Sequence, residues 1–99
     1  MKIWLALAPE AEADVMKAAS FYETTGSAAV AAKFVAEFKR VANVLLEFPD
    51  IGAPRTRGRR AFTLSLFPYT IIYRQTTDGI TILVVKHDRR RPTYGGERK

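Results

Sequence analysis

Three β-patterned runs, joined by connections too short to hold a helix, constrain this chain more than any other feature. Phe62, Leu64 and Leu66 alternate with Thr63 and Ser65; Thr70–Gln75 follows as TIIYRQ and Ile80–Val85 as ITILVV. Phe67-Pro68-Tyr69 separates the first two runs with a residue that cannot donate to a ladder, and Thr77-Asp78-Gly79 supplies an Asp-Gly turn between the second and third. Connections this tight make successive strands antiparallel neighbours, so the region forms a meander. Ile82–Val85 is apolar at consecutive positions and Ile71 stands beside Ile72, which predicts central strands covered on both faces.

Ahead of the meander the period changes from two to about 3.6. Pro9 at a first helical position, with Glu10, Glu12 and Asp14 near the positive end of the helix dipole, starts a helix predicted to run to Thr24 or Thr25, with Gly26 ending it. Ala8 before it has no side-chain acceptor to cap with. Ser27 is the expected cap of a second helix over Ala28–Phe48. Its stripe of Ala31, Phe34, Val35, Phe38, Val41, Ala42 and Leu45 faces the sheet, with Lys33, Glu37, Arg40 and Glu47 off it. Phe48-Pro49 stops that helix. The short connection makes the pair an antiparallel hairpin. Lys2–Leu7, with Trp4 at its centre, is predicted as a first strand of unassigned sheet position, Trp4 being core or interface. The predicted fold is therefore α+β, in the order β-α-α-β-β-β, a helical hairpin packed on a mainly antiparallel four-stranded sheet.

Ninety-nine residues hold one domain, 1–99, with room for a single core. No apolar run approaches the roughly 18 residues of a membrane span, so no membrane partner is expected. The apolar start is too short for a signal peptide and leads into acidic residues, which gives a cytoplasmic expectation. Without cysteine there is no disulfide, thiolate metal site or cysteine nucleophile. One histidine and no carboxylate cluster at ligand spacing point away from a metal, and no cofactor motif is present. Charge is divided unevenly. Residues 1–50 hold five Lys/Arg against seven Asp/Glu, and residues 51–99 hold eleven against three. The basic clusters are Arg55, Arg57, Arg59 and Arg60 before the meander and Lys86, His87, Arg89, Arg90 and Arg91 after it. These arginines suit a polyanionic partner, whether nucleic acid or an acidic protein segment; a solvated rim is the plain alternative. Arg55–Arg60 reads as a mobile loop, and Asp88–Lys99, with Pro92 and Gly95-Gly96, as an exposed, flexible basic tail.

Four stretches in this order, Ala8–Asp14, Leu45–Arg55, Tyr69–Arg74 and Ile82–Arg90, give the chain a resemblance to the RelE/ParE superfamily of type II toxin-antitoxin toxins, and within it to the ParE-like branch. Phe67-Pro68 stands where a glycine-arginine pair is common in that branch. The resemblance implies a growth inhibitor neutralised by a cognate, ParD-like antitoxin through an acidic C-terminal segment. ParE-like members imply poisoning of DNA gyrase by binding; RelE-like members imply a ribosome-dependent mRNA endonuclease. For the second, a metal-free ribonuclease needs an acid, a base and cations on the phosphate. His87 would be the acid, Arg74 or Arg60 the clamp and Tyr94 a stacking or donor group. The base is the missing piece: Glu47 and Asp50 sit at the end of the helical hairpin, and no carboxylate near the arginine loop is an obvious partner. The expectation is a binding toxin with Arg55, Arg57, Arg59, Arg60, Arg89, Arg90 and Arg91 as its partner-binding residues. An RNA-cleaving enzyme acting at the ribosome and a non-toxic basic nucleic-acid-binding module stand as alternatives.

Overall fold

The computed structural model describes residues 4–98. Elements follow in the order β1 (Trp4–Leu7), α1 (Pro9–Thr25), α2 (Ala28–Glu47), β2 (Ala53–Pro54), a 3-10 turn (Thr56–Gly58), β3 (Arg59–Thr63), β4 (Tyr69–Thr76) and β5 (Gly79–His87). The sheet has the order β1-β5-β4-β3-β2, so the meander is central as its sequence implied. Lys2 and Ile3 of the predicted first strand lie outside the described residues. The remainder pairs in parallel with β5 at one edge, from Trp4 opposite Gly79 to Leu7 opposite Ile82. There the backbones come so close that a Cβ on Gly79 would sit 1.9 Å from the Trp4 carbonyl oxygen. The sheet has five strands, not four, because Ala53-Pro54 pairs with Ala61 and Arg60 at the other edge. Proline is tolerated there because an edge strand has one unpaired side.

The helices follow their sequence signals. Pro9 occupies the first turn of α1, the Ser27 hydroxyl accepts from Val30 N–H at 3.2 Å, and Gly26 separates the two helices. The α2 stripe packs on one sheet face: Phe34, Phe38, Val41 and Leu45 are buried, and Phe38 retains only 7% exposure. Tyr22 and Phe34 meet Phe67 and Tyr69 in edge-on or tilted contacts with centroids 5.0–6.1 Å apart. Tyr73 lies wholly inside the core, where its hydroxyl donates to Pro49 O at 2.7 Å and accepts from Gly52 N–H at 2.9 Å. The end of the helical hairpin is thereby tied to the centre of the sheet.

The apolar run Ile82–Val85 owes its lack of alternation to a β-bulge. Ile72 pairs with Val84 and Tyr73 with Ile82, so Leu83 is an extra residue without a partner on β4. Ile82 and Val85 join the core under the helices, whereas Leu83, Val84 and Ile72 form a second buried cluster on the opposite face, with Tyr94 packed against it.

That second face is covered by the segment expected to be a flexible exposed tail. Of 88–99, Lys99 lies outside the described residues; residues 92–98 fold back across the sheet. Asp14, on α1, collects their contacts. It accepts from Val85 N–H at 3.0 Å, from Tyr94 O–H at 2.9 Å and from Arg98 Nη1 at 2.6 Å, while Arg98 also donates to Leu83 O at 3.1 Å. Composition hid this docking, because one aromatic ring and one arginine carry it in an otherwise polar segment.

Two further expectations are corrected. Arg55–Arg60 is not a loose loop but the 3-10 turn between edge strand β2 and β3 together with the first residues of β3, closed by the Arg55 N–H donating to Arg59 O at 2.7 Å. The first meander strand spans Arg59–Thr63 rather than Phe62–Leu66, leaving Leu66 exposed. The reason is Glu37, which is buried instead of solvated. Its carboxylate accepts from Ser65 and Leu66 N–H at 2.9 and 3.3 Å and pairs with Arg40 at 3.0 Å, so those amides cap onto a helix side chain rather than enter a ladder.

Phe34→Ala is expected to cost about 3–5 kcal/mol in urea unfolding, as for a fully buried aromatic. The Arg40 hydrogen bond, then the two amides, hold the Glu37 carboxyl below its usual range against the opposing effect of burial. A depressed folded pKa means that the native state binds fewer protons. The contribution is therefore complete above the unfolded carboxylate value of about 4.3 and is lost as pH falls through the folded one. The stability gap between the wild type and Glu37→Gln is expected to be widest near neutrality and to narrow steadily below about pH 4; a gap constant with pH would contradict this. Asp14→Ala, which strands Arg98 and the Val85 amide, is expected to cost about 3–5 kcal/mol and to raise hydrogen exchange at residues 94–98 before the rest of the sheet opens.

Candidate functional site

Strand alternation sorts the arginines onto two faces. Arg59 and Arg74 stand opposite each other in the β3–β4 register, and Arg60 is opposite Tyr73. Tyr73 points into the core under the helices, and Arg60 follows it to the hairpin end. There Nη1 donates to Gly52 O at 2.8 Å and to Asp50 O at 3.2 Å, and Nη2 lies 3.7 Å from the exposed Asp50 carboxylate. Arg59 and Lys86 take the opposite face and are buried there beneath the C-terminal segment.

On that outer face the cations meet backbone carbonyls. Arg55 Nη2 donates to Pro92 O at 3.3 Å, Arg57 Nη1 to Gly96 O at 2.8 Å, and Arg59 to Gly95 O at 3.2 Å and to Arg98 O. Lys86 Nζ donates to Arg91 O and Pro92 O, both at 3.4 Å. No ion pair to Arg55, Arg57, Arg59 or Lys86 is found among the described residues. Burial, reinforced by the neighbouring Arg57 and Arg74, pushes the Arg59 guanidinium down from its ordinary pKa. Burial, then Arg55, does the same to Lys86. The basic segments on either side of the meander, whose strand ends lie far apart, are thus brought together by the return of the tail. Arg89, Arg90 and Arg91 themselves stay exposed beyond β5, with Arg90 4.6 Å over the Tyr94 ring.

The residues proposed from sequence for RNA cleavage do not share one place. His87 and Tyr94 line a cleft of about 190 Å³ between α1 and the end of β5, together with Lys17 and Arg90. The His87 ring packs edge-on against Tyr69 at 5.2 Å, and its Nδ1 accepts from Arg89 N–H at 3.0 Å. Arg74 lies five positions from Tyr69, the partner of His87 in the β4–β5 ladder, which at ~3.3 Å per residue places it roughly 16 Å along the strand. Arg60, opposite Tyr73, shares the helix face with His87 but lies four positions along β4 from Tyr69, at the hairpin end. Glu47 and Asp50 are exposed at the hairpin end, outside the cleft that holds His87. No group of His, Cys, Asp or Glu suited to a metal is present among the described residues.

Sequence reasoning passed over Asp14, Lys86 and Arg98 as partners in this site. A signal for the first existed: Asp14 falls three residues after Ala11 and four before Ala18, both buried, so its spacing puts it on the inner face of α1. Lys86 and Arg98 carried no such signal, because nothing local marks what covers them.

Apolar side chains are exposed elsewhere. Trp4, at 56% exposure, and Leu5 lie on edge strand β1, which excludes the core reading of Trp4; Met16 and Phe21 lie on α1. No described helix is long and apolar enough to cross a membrane.

Residues 5–92 match the family model described as the ParE toxin of the type II toxin-antitoxin system, parDE. Among solved structures, a chain of the chromosomal ParDE toxin-antitoxin system from P. aeruginosa superposes with a TM-score of 0.77 at 23% identity, covering 86% of this chain and 95% of that one. At that identity the likeness concerns the fold. A search of curated proteins gave no match. With the family model spanning all but the two ends, on a helical hairpin and five-stranded sheet that the solved structure shares, the chain belongs to the ParE toxins of type II toxin-antitoxin systems.

Proposed function

We propose that this toxin halts growth in the cytoplasm by binding DNA gyrase and stalling it on cleaved DNA, without chemistry of its own, and that a ParD-like antitoxin neutralises it. The observation carrying the non-catalytic reading is the dispersal of the groups an RNA-cleaving site would need. His87 and Tyr94 share a cleft, but Arg74 is far along the strand, Arg60 is held at the hairpin end by the Gly52 and Asp50 carbonyls, and neither Glu47 nor Asp50 joins them. Proton transfer requires donor and acceptor within about 3 Å of the reacting atoms. Binding to a large protein requires only a presented surface.

The antitoxin reading is supported by the edge position of β1, with exposed Trp4 and Leu5, and by Met16 and Phe21 on α1. An extended segment could add main-chain hydrogen bonds along an edge strand and seat alternate side chains beside it. The exposed arginines beyond β5 would speed the approach of an acidic segment, while buried side chains would supply most of the affinity.

On expression, a supercoiling defect with DNA-damage signalling is the expected phenotype. Abrupt translation arrest with cleaved messages would replace this reading by the endonuclease, and unaffected growth by the non-toxic nucleic-acid-binding module. His87→Ala should leave growth inhibition largely intact once folding is verified by circular dichroism; loss of toxicity in a folded variant would favour catalysis. Replacing Arg89, Arg90 and Arg91 together by Ala should slow antitoxin association at low salt by up to about tenfold, with dissociation little changed. The difference should fade at high salt as charges are screened. Association equal to wild type at both salts would remove these arginines from the steering surface.

A further inference from the structure

We infer that the outer face of the sheet carries a phosphate-binding site, formed by Arg55, Arg57 and Arg59 around the cleft that the C-terminal segment closes. Three independent observations converge on it, and none depends on the gyrase reading. The first is a buried donor with nothing to donate to: Arg59 is only 6% exposed, and its Nε makes no hydrogen bond among the described residues. A guanidinium taken from water with an N–H unmet incurs a desolvation cost that a native site ordinarily avoids by supplying an acceptor.

The second is a backbone cost at Arg57. Its φ of 64° lies in the left-handed region, which a residue with a Cβ adopts reluctantly, and Gly58 follows at 71°. Glycine at position 57 would remove that cost. Arginine there instead projects its guanidinium over a cleft of about 260 Å³, walled by Ile72, Tyr94 and the other two arginines. The third is the charge balance. The three forks, and the Lys86 ammonium that shares the Pro92 carbonyl with Arg55, are held by neutral carbonyls; none of the four has an ion pair among the described residues, and the acids that act on Arg59 and Lys86 are Glu97 and Asp88. Carbonyls satisfy N–H geometry and leave the positive charge uncompensated. A tetrahedral phosphate group offers several anionic acceptors to several donors at once, for which arginine forks are well matched. Such a group could belong to a small polyphosphate or nucleotide, or to the phosphodiester chain of a nucleic acid; the site recognises what these share.

Isothermal titration of the full chain with inorganic pyrophosphate, at low salt, tests the site. The wild type is expected to bind with one-to-one stoichiometry. Arg57→Gly should bind about tenfold more weakly or worse while its thermal midpoint is unchanged or higher, because glycine accepts the 64° conformation. Arg55→Ala, on ordinary extended backbone, should weaken binding similarly. Lys33→Ala on the exposed face of α2 removes the same charge elsewhere and should leave affinity as it was. Failure of the wild type to bind, or equal weakening by Lys33→Ala and Arg57→Gly, would overturn the site. Competition by a mixed-sequence single-stranded oligonucleotide separates the sources. Displacement of pyrophosphate assigns the site to a phosphodiester chain, and its absence to a small phosphate, each consistent with the site itself.

Discussion

The structure depends on the Asp14 carboxylate. β1 accompanies β5 only as far as Leu7 opposite Ile82, after which Pro9 turns the chain into α1. Past that point β5 has an open edge inside the protein, and a buried amide there must find an acceptor. Asp14, on the second turn of α1, accepts from Val85 N–H and so replaces the missing strand neighbour. Having been brought into the interior to do this, the carboxylate needs a cation, and Arg98 provides it at 2.6 Å from the far end of the chain. The position of α1 and the course of the last residues are fixed by one side chain.

Glu37 repeats the device on the second helix. It lies three residues after Phe34 and four before Val41, and its oxygens receive the Ser65 and Leu66 amides. Each helix therefore contributes one acidic residue at core-facing spacing, and each ends or replaces a piece of β-ladder. Charge-assisted bonds of this kind are stronger than amide–carbonyl ones, but removing either partner leaves a buried charge or donor exposed to the full desolvation penalty. The arrangement ties helices to sheet at defined points that apolar packing, which tolerates sliding, would leave less sharply set.

How far the fold was legible follows from which interactions are local. The α2 stripe, the Ser27 cap and Pro9 are written within a few residues of where they act, and all appear where the sequence places them; the tight turn after β4 also forms, but on Thr77-Asp78, with Gly79 already paired to Thr76 in β5. The consecutive apolar run Ile82–Val85 announced burial on two faces, but the bulge at Leu83 that produces it depends on pairing with β4 and has no signature of its own. Asp14 and Glu37 were misread because acidic residues in helices are ordinarily solvated; their periodicity was the better guide than their charge. The docked tail was illegible for a different reason. Tyr94 and Arg98 find partners about eighty residues away, and a composition of Pro, Gly and Arg describes the chain without its contacts.

The candidate site was half legible for the same cause. Arginine clusters at both ends of the meander pointed to an anionic partner, yet strand alternation decides which of them cooperate. Arg60 goes to the hairpin end and Arg59, one residue earlier, to the outer face with Arg55, Arg57 and Lys86. Holding four cations, of which Arg59 and Lys86 are buried, against a segment of neutral carbonyls is electrostatically unfavourable, since like charges at close range repel and burial strengthens the repulsion. The lowered pKa of Arg59 and of Lys86 expresses the loss of water first and that repulsion after it. Asp14 and the Ile72, Leu83 and Val84 cluster anchor the tail more firmly than these cations, because they offer Arg98 and Tyr94 a carboxylate and Tyr94 an apolar seat. The segment is thus fastened by a carboxylate and apolar burial on its α1 side and by carbonyl hydrogen bonds on its arginine side, so an anion arriving at the arginines would relieve repulsion without having to break the Asp14 anchor.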